Sequence, residues 1–238
     1  MTSGERLDEP RTSRRWRNGT APVIGLTGGV ASGKSAVAAL LAEHGFIAID
    51  ADAVGHEVLQ LPEVKQKLVD RFGPGVMRQP GPSAPTGASV DRRVLAGIVF
   101  ADTEARRDLE AIVHPLMRER FIEALSRVLK TTGGPVVLDA AILLEAGWQD
   151  LCDRVIFVDA PRLERIRRAA EHRGWSPAIF DSREQAQWPC DEKRRHAHYV
   201  IRNNVDLDSL RLEVDALVTD LGEEGSGSDA WQSSCLAM

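Results

Sequence analysis

The sequence predicts a three-layer α/β fold built on a parallel sheet, and three observations predict it. Short apolar runs bounded by turns recur at 22–27, 46–50, 135–139, 154–159 and 199–202, with helical stretches between them. The first run leads into Gly28-Gly29-Val30-Ala31-Ser32-Gly33-Lys34-Ser35, which fits the phosphate-binding pattern G-x-x-x-x-G-K-[ST]. A helical stretch, Ala36-Val37-Ala38-Ala39-Leu40-Leu41, follows at once.

The first strand, Val23-Ile24-Gly25-Leu26-Thr27, delivers the chain to the glycine loop. Strand, loop and helix N-terminus together aim backbone N–H groups and the positive end of a helix dipole at one point. That point suits a polyphosphate. Lys34 is placed to reach the β- and γ-phosphates and the Ser35 hydroxyl to ligate Mg²⁺. The nucleotide-binding candidates are therefore Gly28, Gly29, Val30, Ala31, Ser32, Gly33, Lys34, Ser35 and Ala36.

The second strand, Phe46-Ile47-Ala48-Ile49, ends in Asp50-Ala51-Asp52. One of these carboxylates suits accepting a proton from a substrate hydroxyl, or orienting that hydroxyl. The other suits capping the next helix or holding a Mg²⁺-bound water. Both would equally serve as caps for a helix over 53–60.

A long gap from about 53 to 134 exceeds what one crossover helix needs. It predicts an inserted lobe with helices at Glu57 to Phe72, Arg92 to Phe100 and Asp102 to about Lys130. The Pro/Gly-rich segment Gln79 to Gly87 reads as an exposed, mobile loop. His114-Pro115 interrupts the last helical pattern, since an interior proline costs about 3 kcal/mol unless it begins a turn or kink. The histidine there either faces a ligand or packs into a core.

The third strand, Pro135-Val136-Val137-Leu138, ends in Asp139, which either joins a Mg²⁺ shell or serves as a turn aspartate. Glu145 is a weaker metal candidate. After Val155-Ile156-Phe157-Val158-Asp159 comes a helix carrying Arg162, Arg165, Arg167, Arg168 and Arg173, then the break His172-Arg173-Gly174-Trp175-Ser176-Pro177. Charge-rich helices are usually solvated faces. Arginines at the base of a mobile flap, however, suit closing on transferring phosphates and excluding water.

Composition bounds the rest. The chain has 238 residues, 43% hydrophobic and 27% charged, which suits one soluble domain with insertions or two small lobes. Its net charge of −5 opposes bulk capture of nucleic acid. Cys152, Cys190 and Cys235 are widely spaced and suggest neither a disulfide framework nor a zinc cluster, so a reduced, cytoplasmic setting is expected. No apolar run approaches a membrane span. Residues 1–21 and 222–238 read as disordered tails around a domain over 22–221. The far tail ends Cys235-Leu236-Ala237-Met238, a prenylation box, but no polybasic stretch precedes it and lipidation is not expected.

In this order the landmarks resemble the dephospho-CoA kinase family over about residues 22 to 215. The likeness runs from Leu26-Thr27 and the glycine loop through Ile49-Asp50-Ala51-Asp52, Asp91-Arg92-x-x-Leu95 and Ile98-Val99-Phe100. It continues through Leu109-Glu110, His114-Pro115, Leu143-Leu144-Glu145 and Asp153-Arg154-Val155, and ends at Gln187, Glu192-Lys193 and Ala197-x-Tyr199-Val200-Ile201-x-Asn203-Asn204. The resemblance implies a P-loop NTPase fold with a helical CoA-binding insertion over 53–130 and a mobile lid over 169–192. It implies transfer of the γ-phosphoryl group of ATP to the ribose 3′-hydroxyl of dephospho-CoA, the last step of coenzyme A synthesis. Carried over by position, Asp52 matches the base, Lys34 and the loop amides the ATP cradle, and Ser35 the Mg²⁺ ligand. Arg168 matches the arginine that steadies the transferring phosphoryl group. Asp50, Arg92 and His114 fall where the family lines its acceptor pocket. ATP and dephospho-CoA are the expected partners of a monomer or weak homo-oligomer.

Some positions depart from the family pattern. Ala141-Ile142 replaces a Pro-Leu start, His172 stands where a second lid arginine is usual, with Arg173 next to it, and Arg202 and Val205 replace an acid and a glycine. Ala36 stands where threonine is common. A related kinase for a nucleoside, nucleotide or sugar-like acid is the competing enzyme reading. A nucleotide-operated switch is the non-enzymatic one, although no Asn-Lys-x-Asp element accompanies the loop.

Overall fold

The computed structural model describes residues 5–6, 16, 21–78 and 89–225. The loop expected over 79–87 and the Cys235–Met238 box lie outside the described residues. The chain begins with β1 (Glu5–Arg6), β2 (Val23–Gly28), α1 (Lys34–Glu43) and β3 (Ile47–Asp50). Then come α2 (Ala51–Val58), α3 (Pro62–Phe72), β4 (Met77–Arg78), β5 (Ser89–Val90), α4 (Arg92–Ala101) and α5 (Thr103–Thr131). It continues through β6 (Val136–Asp139), β7 (Arg154–Asp159), α6 (Arg162–Arg173), α7 (Pro177–Gln185), α8 (Cys190–Arg195), β8 (Tyr199–Arg202) and α9 (Leu207–Gly225).

The main sheet has the order β1-β8-β7-β2-β6-β3. Its five long strands are parallel, and β1 adds an antiparallel edge with Glu5 opposite Val200 and Arg6 opposite Tyr199. Central β2 is buried along its whole length because both faces of a parallel sheet are covered. On one face Val37, Leu40 and Leu41 of α1 and Leu210, Val214, Leu217 and Leu221 of α9 join Ile24, Leu26, Ile156 and Val158 in one core. On the other, a Cβ at Gly25 would lie 2.5 Å from Leu143 Cδ2 and 2.9 Å from Cys152 Sγ, so only glycine lets that layer close on the strand.

Residues 51–121 form a second compact unit, starting where β3 ends. Val58, Val64, Leu68, Leu95, Val99, Val113 and Met117 are buried in it. Asp91 caps α4, its Oδ1 accepting from the N–H groups of Arg93 (3.0 Å) and Val94 (3.2 Å).

Several expectations are corrected. The helix expected over 57–72 is two helices, because Pro62 starts α3 at its first position. Helix α5 contains Pro115 rather than breaking there. The first tail is not wholly outside the fold: β1 pairs with β8, and Trp16 is buried in the main core. A lone tryptophan in a polar stretch carries no periodicity but brings a large apolar surface. The second tail does not begin at 222, since α9 continues to Gly225. Its last turn is held by Glu224, which pairs with Arg154 (2.9 Å) and accepts from the Tyr199 hydroxyl (2.8 Å).

Candidate active site

The loop after β2 has the backbone its glycines allow. Gly33 has φ +95°, left-handed territory that a side chain resists, and Ala31 also has positive φ at +57°. The Ser32 N–H donates to Gly29 O (3.1 Å), closing the loop. The first helical bond is from Ala36 N–H to Gly33 O (3.0 Å), so the N–H groups of Gly33, Lys34 and Ser35 lie ahead of it. No side chain caps α1. Uncapped N–H groups and the dipole of a ten-residue helix make this end an anion site. The buried Ser32 Oγ finds no hydrogen-bond partner among the described residues.

The carboxyl ends of the neighbouring strands bring acids to this point. Lys34 Nζ lies 3.9 Å from Asp139 Oδ1 at the end of β6. Asp50, the last residue of β3, is the register partner of Asp139. Among the described residues no three His, Cys, Asp or Glu side chains form a metal cage. Magnesium bound with phosphates needs no such cage, only one or two hard oxygens beside them. The Ser35 hydroxyl and Asp139 carboxylate are donors of that kind.

On the β7 side, α6 and α7 close on the loop. Val30 packs with Ala169 and Phe180 in a small core flanked by Ala31, Ile166 and Trp175. Arg165 is buried, donating to Ala160 O (3.1 Å) and Val30 O (3.4 Å) and pairing with Glu184 (2.7 Å). Arg162 reaches the same Glu184 (2.9 Å) and Asp181 (2.5 Å). Burial raises the Glu184 carboxyl, but hydrogen bonds from Arg162 and Arg165 carry it below the ordinary glutamate range. Arg168 donates to Ser32 O (3.2 Å) and to Asn203 O (3.0 Å) and Oδ1 (3.3 Å). Beyond the break, Trp175 stacks with Arg173 (4.8 Å) and Arg183 (4.3 Å).

Helix α8 completes this side. Lys193 is fully buried, with Nζ 2.8 Å from Glu145 Oε1, 2.6 Å from Ala141 O and 3.0 Å from Gln187 Oε1. Burial pushes its ammonium below the ordinary lysine value, while Glu145 pulls it back. Glu145 Oε1 also accepts from the Trp188 N–H (2.9 Å), and Ala141 O from Thr27 Oγ1 (3.1 Å). Glu145 thus faces an ammonium, which argues against the metal role considered for it. A Cβ on Gly29 would lie 2.8 Å from Cys190 Sγ and 2.9 Å from Arg165 Nη1, so side chains crowd this edge of the loop. Burial pushes the Cys190 thiol up, with Arg165 opposing. Asp159, Arg162, Arg165, Cys190, Arg202 and Asn204 help line a cleft of about 370 Å³.

The structure therefore gathers Gly28 to Ala36, with Lys34 and Ser35, beside Asp139 and Arg168, and puts Asp50 at a strand end. Asp52, Arg92 and His114 belong to the other unit. Asp52 sits in the first turn of α2, and exposed Arg92 opens α4. His114 is half-buried on α5, where burial pushes its imidazole below the ordinary value against Glu110 one turn earlier. The Ala141-Ile142 departure leaves the network above intact, because residue 141 acts through its carbonyl. Arg202 and Val205 are exposed. Glu184 was not read from the sequence, and nothing in its local sequence marks it; Lys193 was noted only within the Glu192-Lys193 motif, without its anchoring role. Asn203 was noted only as part of a motif. Its signal was a pair of asparagines following a strand in a nucleotide-type fold.

The profile of the dephospho-CoA kinase family matches residues 22–209. A dephospho-CoA kinase from Symbiobacterium thermophilum is 41% identical over 217 residues, 90% of this chain and 81% of the relative. One from Geobacillus kaustophilus is 36% identical over 196 residues, 82% of this chain and 94% of the relative. A crystal structure of a Thermus thermophilus protein superposes with a TM-score of 0.68 at 36% identity, covering 84% of this chain and 98% of that one. Likeness of this breadth, centred on a phosphate loop with its glycine backbone intact, makes the chain a member of the dephospho-CoA kinase family.

Proposed function

We propose that this chain transfers the γ-phosphoryl group of ATP to the ribose 3′-hydroxyl of dephospho-CoA, giving coenzyme A and ADP, the last step of coenzyme A biosynthesis. Family membership supports the substrates. The observation that carries the chemistry is the uncapped start of α1, with Lys34 3.9 Å from Asp139. In-line transfer needs phosphates, metal and hydroxyl held in place more than it needs covalent help.

In this reading the amides of residues 28–36 bind the ATP phosphates and Lys34 neutralises their charge. Asp52 takes the proton from the 3′-hydroxyl as the oxygen attacks phosphorus. Ser35 and Asp139 would hold Mg²⁺, which offsets charge on the transferring phosphoryl oxygens when bound. Arg168 spends some of its five N–H donors on carbonyls, and the others remain to steady the transferring group. Asp50, Arg92 and His114 contact the acceptor, the insertion over 53–130 binds its CoA portion, and the lid over 169–192 excludes water. The protein works in the cytoplasm as a monomer or weak homo-oligomer. No helix among the described residues is long and apolar enough to cross a membrane.

The test is an assay of purified protein with ATP, Mg²⁺ and dephospho-CoA, following CoA by chromatography, beside a panel of nucleoside and sugar-acid acceptors. CoA formation with dephospho-CoA preferred bears the reading out. Faster turnover of another acceptor, or ATP binding with no acceptor phosphorylated, defeats it.

A further inference from the structure

We propose that Asn203 is a positioning residue that fixes the Ser32–Gly33 peptide so that the Gly33 N–H is presented to the nucleotide phosphates. Asn203 is 8% exposed and follows β8 directly. Its own N–H donates to Asp159 O (2.7 Å), fastening it to the end of β7. Its Nδ2 donates to Ser32 O (2.8 Å), while its Oδ1 accepts from Arg168, whose Nη1 also donates to Ser32 O (3.2 Å). These neighbours dictate the amide orientation. Reversed, it would set Oδ1 against a carbonyl and Nδ2 against a guanidinium.

Two donors therefore converge on one loop carbonyl. In a planar trans peptide the C=O of Ser32 and the N–H of Gly33 point in opposite directions. Holding the carbonyl toward Asn203 and Arg168 turns the N–H away from them. A flip of this peptide would bury the Asn203 donor without its acceptor. The fit is steric as well. A Cβ on Gly33 would lie 2.0 Å from Asn203 Nδ2, so the amide takes the space a side chain would need. Gly33 and Asn203 are thus a matched pair from opposite ends of the domain.

The inference rests on the nucleotide reading of the loop, and its test is read by ADP binding rather than turnover. Asn203→Asp keeps size and the acceptor for Arg168 but replaces the donor facing Ser32 O by an oxygen. Asn203→Ala removes the donor without adding repulsion. Calorimetry with ADP should show Kd weakened by about tenfold or more in Asn203→Asp, whose added carboxylate faces the Arg168 guanidinium, and by less in Asn203→Ala. The KM for dephospho-CoA should move by less than about twofold in either. A general packing role predicts the opposite order, with the truncated side chain worse. Wild-type ADP affinity in Asn203→Asp overturns the proposal, as does the reversed order or an Asn203→Asp protein unfolded by circular dichroism. A wild-type protein that binds no ADP defeats the nucleotide site itself. Normal CoA synthesis with unchanged ADP binding by Asn203→Asp defeats only the role of Asn203.

Discussion

Asp50 and Asp139 are register partners at the carboxyl ends of the neighbouring parallel strands β3 and β6, with the Lys34 ammonium 3.9 Å from the second. Adjacent strands run about 4.8 Å apart, close enough for two carboxylates to repel unless a cation stands by. Lys34 supplies one such charge and a magnesium ion would supply another. Asp139→Asn should raise the Mg²⁺ concentration for half-maximal activity by about tenfold or more and leave metal-free ADP affinity within about twofold. A Mg²⁺ titration of activity, paired with ADP binding in chelator, checks this. An unchanged Mg²⁺ requirement removes Asp139 from the metal site.

Asp52 stands in the first turn of α2, two residues after β3 ends. In the proposed reading it accepts the hydroxyl proton, so it should matter for turnover and not for nucleotide binding. Asp52→Asn should lower kcat by about 10²–10⁴-fold with ADP affinity unchanged. Single-turnover kinetics beside ADP calorimetry separate the two effects, and normal turnover would reassign the base.

Glu184 holds Arg165 and Arg162 together across the turn between α6 and α7. Its carboxyl sits below the ordinary glutamate range, so its contribution is complete above the unfolded value of about 4.3 and is lost as pH falls through the folded one. Glu184→Gln should destabilise the protein by about 1–3 kcal/mol near neutrality, because it weakens the pairing of a buried guanidinium. It should also lose less stability than wild type between about pH 5 and pH 3. Urea unfolding across that range reads both effects. Parallel pH profiles for the two proteins would mean that the pair contributes nothing to folding.

Lys193 is fully buried against Glu145. Lys193→Met leaves that carboxylate without its ammonium and should cost about 3–5 kcal/mol. Adding Glu145→Leu should return part of the loss, since the orphaned charge then goes too. A double-mutant cycle in urea is the measurement. Additive losses would show that the two residues act apart.

The strands were legible because a covered parallel strand reads as an unbroken apolar run, and β2 is one. The phosphate loop was legible because its glycines and Lys34-Ser35 sit side by side in the chain. The pairing of Asp50 with Asp139 was not, since register is decided by strands far apart in sequence. Nor could the arginines of α6 be sorted. Arg165 is buried and bound to the loop, whereas Arg167, two residues on, pairs in solvent with Glu164 and Glu171 of its own helix. In sequence both are arginines in a charged run, and only the packing of α7 distinguishes them. Trp16 escaped for a similar reason, as an isolated apolar residue whose partner, Arg154, begins a strand far away.

Arg154 fastens the stretch before β2 to the last turn of α9. The Trp16 ring lies 5.4 Å from its guanidinium, and Glu224 grips it at 2.9 Å. A shortened protein cut at residue 221 would unfasten the clasp and leave Tyr199 without its carboxylate, loosening the sheet margin. Purification handles and fusion partners therefore belong before β1 and after Glu224, and trimming inward of either would wear away the frame that holds the loop.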